Sequence, residues 1–115
     1  MSQQSNRGWI GVDLDGTLAH YDRWRGPEHI GKPIEAMVLR VRRWLAEGQP
    51  VKIFTARVAD GDPEMIKRIQ EWCELHIGIA LPVTNVKDYG MIALWDDRAV
   101  QVILNTGKPV WSGAS

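Results

Sequence analysis

The 115-residue chain predicts an α/β domain, a Rossmann-like three-layer α/β/α sandwich around a central, mainly parallel sheet. Two observations predict it. Short apolar runs alternate along the chain with stretches of helical period, which is the order that builds a parallel sheet with right-handed crossovers. Acidic and hydroxyl residues stand at the carboxyl ends of those runs, where the ligand crevice of an open parallel sheet lies.

The first run, Trp9-Ile10-Gly11-Val12-Asp13-Leu14, reads as a short buried strand. Ile34, Met37, Val38, Val41, Trp44 and Leu45 then fall on one stripe of a 3.6-residue period, and Gly48 is placed to stop that helix. Arg40, Arg42 and Arg43 lie off the stripe and read as a solvated face. Val51-Lys52-Ile53-Phe54-Thr55 is a second strand, entered through Gly48-Gln49-Pro50. A second helix opens with Asp62 as N-cap and Pro63 in its first turn, carrying Met65, Ile66, Ile69, Trp72, Cys73 and His76 inward. Leu81-Pro82-Val83 reads as a brief third strand and Met91 to Trp95 as a fourth, apolar throughout as a strand covered on both faces would be. Arg98 to Ile103 favours a strand pairing with Pro109-Val110-Trp111 across the turn Asn105-Thr106-Gly107.

Length and composition narrow the function. One domain is expected over 8–111, with a polar lead-in at 1–7 and a loose tail at 112–115. Charges balance at 14 basic and 14 acidic residues, which removes the general attraction of a nucleic-acid or anionic-membrane binder, so any phosphate affinity must be local. No run is long enough to span a bilayer. Cys73 is the single cysteine, so no intrachain disulfide forms and a cytoplasmic home is expected.

Val12-Asp13-Leu14-Asp15-Gly16-Thr17 is the most informative segment. On a regular strand, residues two apart share a face, so one carboxylate can attack an electrophile while the other handles a proton. Downstream, in order, stand Thr55, Lys87 and the pair Asp96-Asp97. This ordered set, spanning Asp13 to Asp97, resembles the four motifs of the haloacid dehalogenase superfamily of phosphohydrolases: Asp-x-Asp-Gly-Thr, a Thr or Ser after the second strand, a Lys and a terminal acidic pair.

The resemblance implies a Mg²⁺-dependent phosphomonoesterase working through an aspartyl-phosphate. It makes Asp13 the nucleophile and Asp15 the general acid and then base. The metal ligands it implies are Asp13, the backbone carbonyl of Asp15 and the acidic pair, with Asp97 favoured as direct ligand over Asp96. Thr55, Lys87 and the backbone amides of Leu14 and Asp15 would bind the phosphoryl group. Arg57 and Arg98 are further candidates for substrate contact.

Many relatives in that superfamily carry a cap domain, but the gap from Leu18 to Pro33 holds only a flap and no large insertion fits between Thr55 and Lys87. No cap is therefore expected and the site should be open, or roofed by a second copy in a homo-oligomer. Tyr21 and Trp24 in the flap are candidates for stacking on a base. A nucleotide or a phosphorylated nucleic-acid end is the first substrate expectation, by likeness of the Thr-x-Arg and Asp-Asp-Arg segments to nucleotidases and polynucleotide phosphatases. The alternatives are a phosphatase for small sugar phosphates and a non-catalytic phosphate- or metal-binding module of the same fold.

Overall fold

Alternating apolar segments of four or five residues are too short for helices and become the strands of one sheet. The computed structural model describes residues 8–111, so the lead-in at 1–7 and the tail at 112–115 lie outside the described residues. The elements run β1 (Trp9–Val12), α1 (Glu35–Ala46), β2 (Val51–Phe54), a 3₁₀ turn (Ala56–Val58), α2 (Pro63–His76), β3 (Val83–Thr84) and β4 (Met91–Trp95). The strands pair in the order β3-β2-β1-β4, and every pairing is parallel. Consequently all strand carboxyl ends share one edge of the sheet, and β1 lies inside it.

The local signals for the helices hold. Asp62 caps α2 by accepting from the Glu64 N–H at 3.0 Å, with Pro63 in the first turn. Gly48, at φ +82°, turns the chain out of α1. Met37, Val38 and Val41 of α1 and Met65, Ile69, Trp72 and Cys73 of α2 join Ile10, Val12, Val51 and Ile53 in a single apolar core. The two crossovers that contain helices step the same way across the sheet, and right-handed connections then place both helices on one face. The second face is closed by side chains: Trp9, Met91 and Leu94 pack over Gly11, the Trp9 and Phe54 rings lie 6.5 Å apart, and Lys52 Nζ sits 4.5 Å over the Trp9 ring. The Rossmann-like α/β class, the parallel central sheet and the lack of a cap domain among the described residues are as expected, but the third layer is not a helical one, because both helices lie on one face and β3 returns to β4 without a helix.

Four local expectations change. β1 stops at Val12, because the Leu14 carbonyl accepts from the N–H groups of Thr17, Leu18 and Ala19 and closes a tight turn there. β4 is an edge strand, and Ile92 is 56% exposed rather than covered. Residues 98–111 form only a single bridge, Val102 to Pro109, around a turn at Asn105 and Gly107. Pro109 lacks a donor, and Val100, Ile103, Leu104 and Trp111 remain exposed with no layer to pack against, so the ladder does not extend. The arginines of α1 are not simply solvated. Arg42 donates to the carbonyls of Ile77 (3.2 Å) and His76 (3.0 Å), satisfying the end of α2, and Arg40 lies 4.8 Å over the Trp95 ring.

The segment from Leu18 to Pro33 forms a flap pinned at its base. His20 N–H donates to the Lys32 carbonyl and Ile34 N–H to the Leu18 carbonyl, both at 2.8 Å, while Trp72 Nε1 holds the Gly31 carbonyl at 3.0 Å. Leu18 and Ala19 are fully buried, so the flap springs from the core itself.

Candidate active site

The carboxyl edge of the sheet opens into a cavity of about 1040 Å³ lined by Asp13, Asp15, Thr55, Arg57, Asp96 and Asp97 among others. Each arrives by a short path. Asp13 follows β1, and its N–H donates to the last carbonyl of β4, that of Trp95, at 2.9 Å. Thr55 follows β2, and Asp96 and Asp97 follow β4. Asp15 reaches the same cavity through the turn after β1, so strand alternation is not what brings the two acids of the first motif together.

Asp13, Asp96 and Asp97 offer carboxylate oxygens within 4.8 Å of one another. Thr17, a residue given no role by the motif itself, ties this group together. Its hydroxyl lies 3.2 Å from Asp97 Oδ1 and 3.5 Å from Asp13 Oδ2, and it accepts from the Asp97 N–H at 3.0 Å. Gly16 is required where it stands: φ is +91°, and a Cβ there would meet the Asp97 carboxylate at 2.9 Å. The signal for both was the Gly-Thr that follows the acids.

Crowding shows in the proton affinity of Asp13. Burial, then a hydrogen bond with Asp97, then the charges of Asp96 and Asp97 push its carboxyl from the ordinary 3.8 up to about 7, against the pull of the Leu14 N–H. The folded state therefore holds this proton more tightly than the unfolded chain. The resulting stabilisation is complete below about pH 4 and is lost as pH rises through about 7. In chelator, the denaturation midpoint of the wild type is expected to fall relative to that of Asp13→Asn across this window. A constant difference between the two proteins would sink the assignment.

Asp15 has a different environment. Arg57 forks onto it, Nε to Oδ2 at 2.7 Å and Nη2 to Oδ1 at 2.9 Å, with the Arg57 side chain only 5% exposed. The same guanidinium donates to the His29 carbonyl of the flap at 2.8 Å and sits 4.9 Å from the centre of the Trp24 ring. Arg57 thus lines the cavity but spends its donors on Asp15 and the flap rather than facing outward to a substrate. Thr55 is buried, and its oxygen accepts from the Arg57 N–H at 3.1 Å. Leu14 buries its side chain completely and offers only its backbone to the site. Tyr21, Trp24 and Arg98 line the cavity as expected. Asn85, unforeseen, joins them just after β3, at the edge where a ligand crevice belongs.

Lys87 is the exception. It is exposed and is not among the residues lining the cavity. After the two-residue β3 the chain must return to the opposite edge of the sheet to begin a parallel β4. Asp88, the next residue, already accepts from Trp9 Nε1 at 2.9 Å at the start of β1. The cations among the lining residues are Arg57, paired with Asp15, and Arg98.

No protein-family model matches this chain, and no curated protein matches it. Among solved structures, that of a conserved protein from Bacteroides thetaiotaomicron is similar, with a TM-score of 0.63 and 23% sequence identity, over 81% of this chain and 78% of that chain. The likeness is one of fold.

Proposed function

We propose that the protein is a Mg²⁺-dependent phosphomonoesterase of the haloacid dehalogenase type. The observation that carries this reading is the convergence of Asp13, Thr55, Asp96 and Asp97, from the ends of three neighbouring strands, on one cavity with Asp15. The donor set suits the ion. Three carboxylates lie close enough to share a cation, their crowding costs Asp13 its ordinary acidity, and all are hard oxygen donors. Asp13 and Asp97, with Asp96 beside them, would hold it. When bound, it offsets the charge of the carboxylates and of the phosphoryl group.

In this reading an Asp13 oxygen attacks phosphorus, the bond from phosphorus to the alcohol oxygen breaks, and the departing alkoxide takes a proton from Asp15. Asp15 then removes a proton from water, whose oxygen attacks the same phosphorus while the bond from phosphorus to the Asp13 oxygen breaks. Inorganic phosphate leaves, and both side chains return to their starting states. The Thr55 oxygen already accepts from a backbone N–H, which leaves its hydroxyl proton to donate to a phosphoryl oxygen. Arg57, through its fork, fixes the carboxylate plane of Asp15. Among the described residues no helix is long and apolar enough to cross a membrane.

Phosphate release from a mixed panel of phosphomonoesters tests the reading. Release is expected with Mg²⁺ and is expected to vanish in chelator. Silence across a broad panel, from folded protein with Mg²⁺ present, would leave the binding-module alternative standing.

A further inference from the structure

We propose that Trp24 and Tyr21 form a stacking subsite for a flat ring on the leaving group, so that the preferred substrate is a phosphomonoester carrying a nucleobase-like ring. The inference rests on the phosphoryl chemistry assigned to Asp13.

Trp24 is a fixed platform rather than a loose side chain. One face lies against the Arg57 guanidinium, 4.9 Å from the ring centre. That guanidinium is buried and is itself held by Asp15 and by the His29 carbonyl. The flap that carries the ring is pinned at its base to the core, and its tip is braced by the Arg25 fork onto Asp22. Yet Trp24 is still 54% exposed and Tyr21 46%, and both line the cavity that contains Asp13. A Trp held on one face by a cation and still half exposed at the cavity wall has π surface to offer to whatever fills the cavity.

The cavity has the volume for such a group. About 1040 Å³ is far more than a phosphoryl group occupies and is at the scale of sites that enclose ligands of nucleotide size. Ala56, Ala59 and Phe54 give the rest of the wall an apolar lining, and Asn85 supplies an amide for polar ring edges. A sugar phosphate or a phosphoserine has no π face and gains nothing from Trp24. A base stacked on an aromatic side chain does.

Ribose 5-phosphate and a purine nucleoside 5′-monophosphate isolate the effect, because both carry a primary phosphate and they differ by the base. The expected kcat/KM ratio in the wild type favours the nucleotide by about tenfold, mostly through KM. In Trp24→Ala the ratio falls toward one, and in Trp24→Phe most of it survives. A wild-type ratio near one, or a ratio that Trp24→Ala leaves unaltered, overturns the subsite. Should neither compound be hydrolysed, the mixed panel still decides the phosphatase reading, and equilibrium titration of the same two compounds decides the subsite by itself. Tighter nucleotide binding that Trp24→Ala abolishes supports it; equal binding of the two overturns it.

Discussion

Asp13→Asn is expected to abolish phosphate release, by at least about 10³-fold in kcat, while raising the thermal stability of the protein near neutral pH in chelator. The first effect follows from the loss of the attacking oxygen, for which an amide is no substitute, and single removals of a nucleophile cost this much or more. The second follows from the crowding of three carboxylates: Asn keeps the shape but removes the group whose ionisation Asp96, Asp97 and burial all oppose. The two readouts move in opposite directions, which separates a catalytic role from a merely structural one. Retained turnover in the purified variant would remove Asp13 from the mechanism.

Arg57→Ala is expected to be the most destabilising single change at the site, by about 2 kcal/mol in denaturant unfolding, because it breaks a partly buried, charge-assisted pair and leaves one partner behind. Asp15 would lose both arms of its fork, the His29 carbonyl its donor and the Trp24 ring its cation. Turnover is expected to fall by about 10²-fold or more, since an acid-base group free to rotate no longer meets the leaving oxygen at a fixed distance. Arg57→Lys restores the charge but not the planar fork, and so recovers stability better than rate. An unaltered denaturation midpoint in Arg57→Ala would show that the pair holds nothing.

Much of this was legible in the sequence, for reasons that differ between residues. The cap and proline that open α2 are local signals, and so is the 3.6-residue stripe of α1; each needs only its near neighbours to take effect. The site was legible where the chain delivers its residues directly at a strand end, as with Asp13, Thr55 and Asp96-Asp97. Lys87 does not line the cavity, because its position depends on the path of a connection that the Asp88–Trp9 hydrogen bond ties to the start of β1. The Arg57 fork was hidden for the same reason, its partners standing 42 and 28 residues away. β4 was read as covered because an apolar run looks alike in the middle of a sheet and at its edge.

The pairing of β1 with β4 also governs how the chain reaches its folded form. Thr17 and Asp97 are 80 residues apart, and Asp96 and Asp97 come to rest beside Asp13 only when β4 docks. The pairing with the longest sequence separation in the sheet is therefore the one that gathers the negative charges, so long-range closure and charge repulsion oppose the same event. Acid, or a cation seated among the three carboxylates, relieves that opposition. The residues assigned to the chemistry thus form an electrostatic barrier to the completion of their own sheet.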